Sequence, residues 1–172
     1  MTTEIKVKYY ASSALTFTSL GSLAASATWV AGAESGAVDN SSNLYDDYLL
    51  SANFKVGAAN GKVGRFEVWV IPMLDDTNWP GVFDGTDSTE TTTADEKYGC
   101  GKLAGAVTVS VTTADLIYPM APVSVAQLFG GVCPRKFSVF VTHDAQTSTN
   151  AIAAASSTAN IVSITPVTWT QA

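Results

Sequence analysis

Charge is what this chain has little of. Only 14% of its 172 residues are Asp, Glu, Lys or Arg, well below the quarter or so usual in soluble domains, and Ser, Thr, Ala, Val and Gly fill the space. A weakly charged surface promotes association, so the composition points to a protein packed against copies of itself or a partner. The charge that is present is mostly acidic, 15 carboxylates against 9 Lys and Arg for a net −6. The basic residues are scattered apart from the pairs Lys6/Lys8 and Arg135/Lys136. That pattern excludes the basic stripe on which affinity for a phosphate backbone depends, and with it a nucleic-acid partner.

Histidine and cysteine are almost absent. Cys100 and Cys133 lack CxxC spacing, and His143 is their one soft-metal companion, so neither a zinc site nor any other cofactor is expected and the cysteines read as small buried hydrophobes, with a disulfide between them as the alternative. His143 stands beside Asp144, yet no GxSxG elbow occurs to supply an activated serine, and no enzymatic activity is expected. Gly130-Gly131 has no GK[ST] after it and reads as a turn rather than a phosphate loop. Asp84-Gly85-Thr86-Asp87, with Asp75 and Asp76 upstream, misses the alternating oxygen register of a calcium loop and reads as a solvated acidic turn.

Apolar runs long enough for a membrane are missing as well. The uncharged stretch 11–33 has the length of a span, but it carries eight Ser/Thr residues and two glycines, too polar for a spanning helix. The start, MTTEIKVKYY, has no apolar core of the signal-peptide kind, so synthesis in the cytoplasm is expected.

What the chain does have is alternation. Glu4–Tyr10 sets Ile5, Val7 and Tyr9 against Glu4, Lys6 and Lys8, the period of a strand. Gly64–Leu74 sets Phe66, Val68 and Val70 against Arg65, Glu67, Trp69 and Ile71, with Pro72 expected to put its end at a sheet edge. Lys136–Val141 presents Phe137, Val139 and Val141 on a face expected to be the buried one. Further strands are read over 14–20, 43–56, 102–111, 116–125 and 160–169, giving about eight in all. Short helices are expected at Ser22–Trp29 and Ser124–Phe129. Asp75–Asp95 is read as one long loop of the length that is usually functional or mobile, and 145–160 as a loop before the last strand. The fold class is therefore all-β: an antiparallel β-sandwich, most simply a jelly roll, with an N-terminal strand or arm over residues 1–13 and a single domain over 14–172. Trp69 and Trp169 read as core or inter-sheet packing, whereas Trp79 beside Pro80 reads as an exposed aromatic able to stack on a sugar ring.

Four segments, SLGSLAASATWVAGAES, AVDNSSNLYDDYLLSANFKVG, FDGTDSTET and PMAPVSVAQLFGGVCPRKFSVFVTHDA, resemble a group of small structural proteins of tailed bacteriophages. The likeness covers most of the chain after Ala14. It implies a virion component with no enzymatic role, on the model of capsid decoration or cement proteins whose partners are the major capsid protein and further copies of themselves. In that setting Ile5, Lys6, Val7, Lys8, Tyr9 and Tyr10 would add as a strand to a neighbour, and Trp79, Pro80, Val82 and Phe83 would supply an apolar contact. The alternative is a tail or fibre component, or a carbohydrate-binding β-sandwich module, with Trp79 touching host glycans.

Overall fold

A computed structural model describes residues 4–21, 23–55, 64–109, 116–144 and 161–171. The loop expected at 145–160 and the first three residues of the arm lie outside the described residues, as do Ser22, Val56 and the strand end expected at 110–111. The chain is mostly β and its strands pair antiparallel.

The first sheet has the order β1 (Ile5–Tyr9), β11 (Ile161–Gln171), β5 (Asp47–Lys55), β9 (Ile117–Ser124), with β2 (Ser13–Ala14) also paired to β11. The second has the order β7 (Ser88–Thr91), β3 (Ala31–Glu34), β10 (Lys136–His143), β6 (Gly64–Pro72), β8 (Lys102–Val109), with β4 (Val38–Asp39) also on β10. Two short helices complete the set, α1 (Ala94–Cys100) and α2 (Val125–Leu128).

Alternation explains how the sheets meet. Tyr48, Leu50, Ala52 and Phe54 of β5 and Val162 and Ile164 of β11 share one buried cluster with Phe66, Val68 and Val70 of β6 and Phe137, Val139 and Val141 of β10. Phe54 stacks on Phe66 at 4.8 Å, and Tyr48 meets Phe137 edge-on at 5.5 Å, so aromatic pairs link the two sheets through their facing sides.

Three expectations are corrected. Residues 23–29 form no helix: Ser26 Oγ accepts from the backbone N–H groups of Val30 and Ala31 at 3.1 Å each, offering the chain an alternative to helical pairing. The stretch 14–20 contributes only Ala14, the second residue of β2. Asp75–Asp95 is not one loop, since β7 and the start of α1 lie within it. β6 lies inside its sheet between β10 and β8, but β8 pairing has ended at Val70↔Lys102, so its end at Pro72 stands at an open edge, as expected, and the missing N–H costs no ladder bond on that side.

Candidate functional site

The arm residues come together with the end of the chain. β1 pairs with β11 in the register Ile5↔Gln171, Val7↔Trp169, Tyr9↔Val167, whereas β5 stops pairing with β11 at Asp47↔Val167. Beyond Val167, then, β11 and β1 form a two-stranded ribbon past the body of the first sheet. Because Ile164 faces the core, the odd-numbered side of this ribbon faces away from it. There Ile5 is 74% exposed, Val7 48%, Tyr9 62% and Trp169 53%. The expectation that Trp169 packs inside is therefore overturned, because its strand outruns the partner that would have covered it.

The other side of the ribbon is tied down. Lys8 Nζ sits 4.5 Å from the centre of the Tyr10 ring, and Tyr10 starts an aromatic ladder to the core through Tyr45 (4.8 Å), Tyr48 (5.6 Å) and Phe137. Tyr10 N–H donates to Pro166 O at 3.0 Å, and Trp169 N–H donates to Asp46 Oδ2 at 2.7 Å. Of the six arm residues, Tyr10 is thus an anchor, and Ile5 to Tyr9 are open along their length.

The loop residues are placed differently. Pro80 and Phe83 are buried, and Phe83 joins Trp69, Ile71 and Phe140 in a second apolar cluster, so it is spent on packing. Trp79 is half-buried against Gly85, where φ is +72° and an added Cβ would lie 2.5 Å from the indole. Val82, 40% exposed, is the open member of the four. Asp75 holds the loop's first turn by accepting from Thr77 N and Asn78 N at 2.8 Å, and its carboxyl is held down at about 2, chiefly by the Asn78 side chain. Asp76 pairs with Arg135.

Beneath this cover lies a polar network. Glu34, fully buried, accepts from Ser138 Oγ at 2.6 Å and Gly85 N at 2.9 Å; burial pushes its carboxyl upward despite these bonds. Lys97, also fully buried, donates to Trp29 O at 2.6 Å and lies 3.5 Å from Glu67 Oε2. Its ammonium sits 4.8 Å from the Trp69 ring centre and 4.9 Å from that of Tyr98, and burial lowers its pKa. Helix α1, which brings Lys97 here, was not expected; its signal in the chain is Thr93-x-x-Glu96, a complete capping box.

His143 is enclosed. Its Nε2 donates to Leu23 O at 2.8 Å, Nδ1 has no partner, and burial holds it below its ordinary pKa. Cys100 and Cys133 are both free, and burial pushes the Cys133 thiol up to about 12. No group of three or more His, Cys, Asp or Glu side chains able to hold a metal occurs among the described residues, and no described helix is long and apolar enough to cross a membrane.

The remaining sheet edges differ from β1. Pro119 and Pro122 interrupt β9, β8 carries a bulge between its Leu103 and Gly105 pairings, and β7 has four residues. All three are familiar ways of blunting an edge. Between β8 and β9 opens a cleft of about 410 Å³, crossed by Met120, whose sulfur would lie 2.6 Å from a Cβ at Gly105. Comparison with protein families, known proteins and solved structures returns no match.

Proposed function

We propose that this chain is a non-enzymatic structural protein that works by docking, and specifically a decoration (cement) protein of a tailed-phage capsid, contacting the major capsid protein and copies of itself. The observation that carries the reading is the ribbon of β1 and β11, which holds Ile5, Val7, Tyr9 and Trp169 in open solvent although nothing in the body of the fold needs them there. Exposed apolar side chains grouped on one face mark interaction sites more often than isolated ones do. The low charge of the whole chain supports the same reading, and the phage-like segments direct it to a virion, made in the host cytoplasm and seated on the capsid surface.

We read the architecture as a jelly-roll sandwich. Leaving out the short β2, β4 and β7, the eight remaining strands in chain order are β1, β3, β5, β6, β8, β9, β10 and β11. They run first-eighth-third-sixth in one sheet and second-seventh-fourth-fifth in the other, an interleaving that two nested Greek keys produce. Shared core residues from both sheets support the two-layer arrangement.

The test is co-sedimentation with capsids prepared without the protein, beside light scattering of the protein alone. Saturable binding at a stoichiometry set by capsid symmetry is the expected result. Undiminished binding after deletion of residues 1–10 would overturn the arm's role. Absence of capsid binding together with glycan binding would move the assignment to a tail or fibre component.

A further inference from the structure

We propose that the free edge of β1 selects an extended partner segment alternating acidic with apolar residues. This rests on the docking reading above and adds the chemistry of the occupant.

β1 is the end strand of its sheet and pairs on one side with β11; no described strand pairs with its other side, and all five of its residues are exposed. It lacks the proline or bulge that blunts β9 and β8. Its device against pairing is charge: Lys6 and Lys8 share one face, with Ile5, Val7 and Tyr9 on the other.

A copy related by a two-fold axis perpendicular to the sheet keeps each face on its own side, so lysine-bearing faces coincide. The centred register sets Lys6 opposite Lys8 at both ends and the next one sets Lys8 against Lys8, whereas the register with Lys6 against Lys6 brings Glu4 opposite Lys8 twice. Like charges directly opposite each other destabilise a ladder, and edge lysines oppose self-pairing for that reason. Glu4 is the acidic group beside this edge, 3.5 Å from Lys6 at an exposed position, and Asp46 lies on the far side of β11, engaged with Trp169 N–H. In a chain of net charge −6, this paired-lysine strand is a local positive exception. An acidic residue opposite each lysine, spaced two apart, matches it, while apolar residues between them extend the Ile5-Val7-Tyr9 face.

The probes are two capped synthetic peptides about as long as β1, one alternating Val and Glu, the other Val and Lys, titrated into the full chain. The Val/Glu peptide is expected to bind at least about tenfold more tightly, the ratio two favourable cross-strand charge pairs supply, and its binding should weaken with added salt. Lys6→Glu/Lys8→Glu should reverse the preference. Equal binding of both peptides, or no binding of either, would overturn the inference. Capsid co-sedimentation by the same variant separates this failure from that of the docking reading: equal peptide binding with capsid binding intact leaves docking standing without its charge rule.

Discussion

Each sheet has a side turned away from the shared core, and the two sides are treated in opposite ways. On the second sheet, Glu34, Glu67, Trp69, Ile71, Ser138, Phe140 and Thr142 all point away from the core cluster, and every one is buried. The Phe83 loop, α1 and the segment leading into β3 lie over them. On the first sheet the corresponding side carries Ser51, Ser163 and Thr165, partly open, and runs out into the exposed Ile5, Val7, Tyr9 and Trp169. A side that will be covered can carry charge, because each charge is given partners: Glu67 accepts from Arg65 at 2.7 Å and Trp69 Nε1 at 3.0 Å. The bare side carries Asp47 and Lys55 at the two ends of β5, but its ribbon end has only uncharged side chains, which leaves no charge there to strip of water when something docks.

Removing Lys97 breaks the covered side most severely. Lys97→Met leaves Glu67, 4% exposed, without its buried counter-ion, and the expected loss is about 3 kcal/mol in urea unfolding, the low end for a broken buried pair because Arg65 remains. Lys97→Met/Glu67→Gln should recover part of it. A loss below about 1 kcal/mol would mean that the cover is a surface feature.

Acid should loosen the core-facing side of the second sheet by a smaller amount, since His143 pairs with the core residue Phe66 and packs on its ring at 5.4 Å. His143 fastens the covering segment at its start, through Leu23 O and by accepting from Ser26 N at 2.7 Å. Its folded pKa is depressed by burial from the ordinary 6.5, so the unfolded chain takes up the proton first. Stability is full above about pH 6.5 and falls as pH drops toward the folded value, by up to about 1.4 kcal/mol per pH unit. Glu34, with its carboxyl raised, works the other way near its own range, gaining stability as it is protonated. The effect is therefore read as the difference between wild type and His143→Gln from pH 7.5 to 6.0, where the wild type alone should show the downward slope.

How much of this was legible in the sequence follows the same division. Alternation places β5, β6, β9, β10 and β11 to within a few residues, because a buried side and an opposite side are written into every second position. The apolar residues on both sides of β6 and β10 are also visible there, but alternation does not say that both sides are covered: Phe140 is as buried as Phe137. The cover itself is poorly written. α1 has seven residues and no apolar stripe, and β3 reads Ala-Gly-Ala-Glu, where Gly32 is needed because a Cβ would sit 2.5 Å from the Phe140 ring. The exposure of Trp169 was hidden for another reason: it depends on β11 being longer than the part of β5 that pairs with it, a relation between distant segments that no local pattern contains.

The bare side should respond least in stability and most in assembly. Trp169 faces Val7 across the ribbon, and Trp169→Thr removes an exposed cross-strand pair whose contribution is about 0.5 kcal/mol. The thermal midpoint should therefore stay nearly unchanged, while binding to capsids lacking the protein falls sharply, because a large aromatic near the centre of a contact carries a disproportionate share of its energy. Loss of fold stability comparable to that of Lys97→Met would show that the ribbon holds the sheet together and that the two sides differ less than their exposure indicates. Unchanged stability with unchanged capsid binding would leave the indole idle at this contact and shift the docking role to the β1 edge alone.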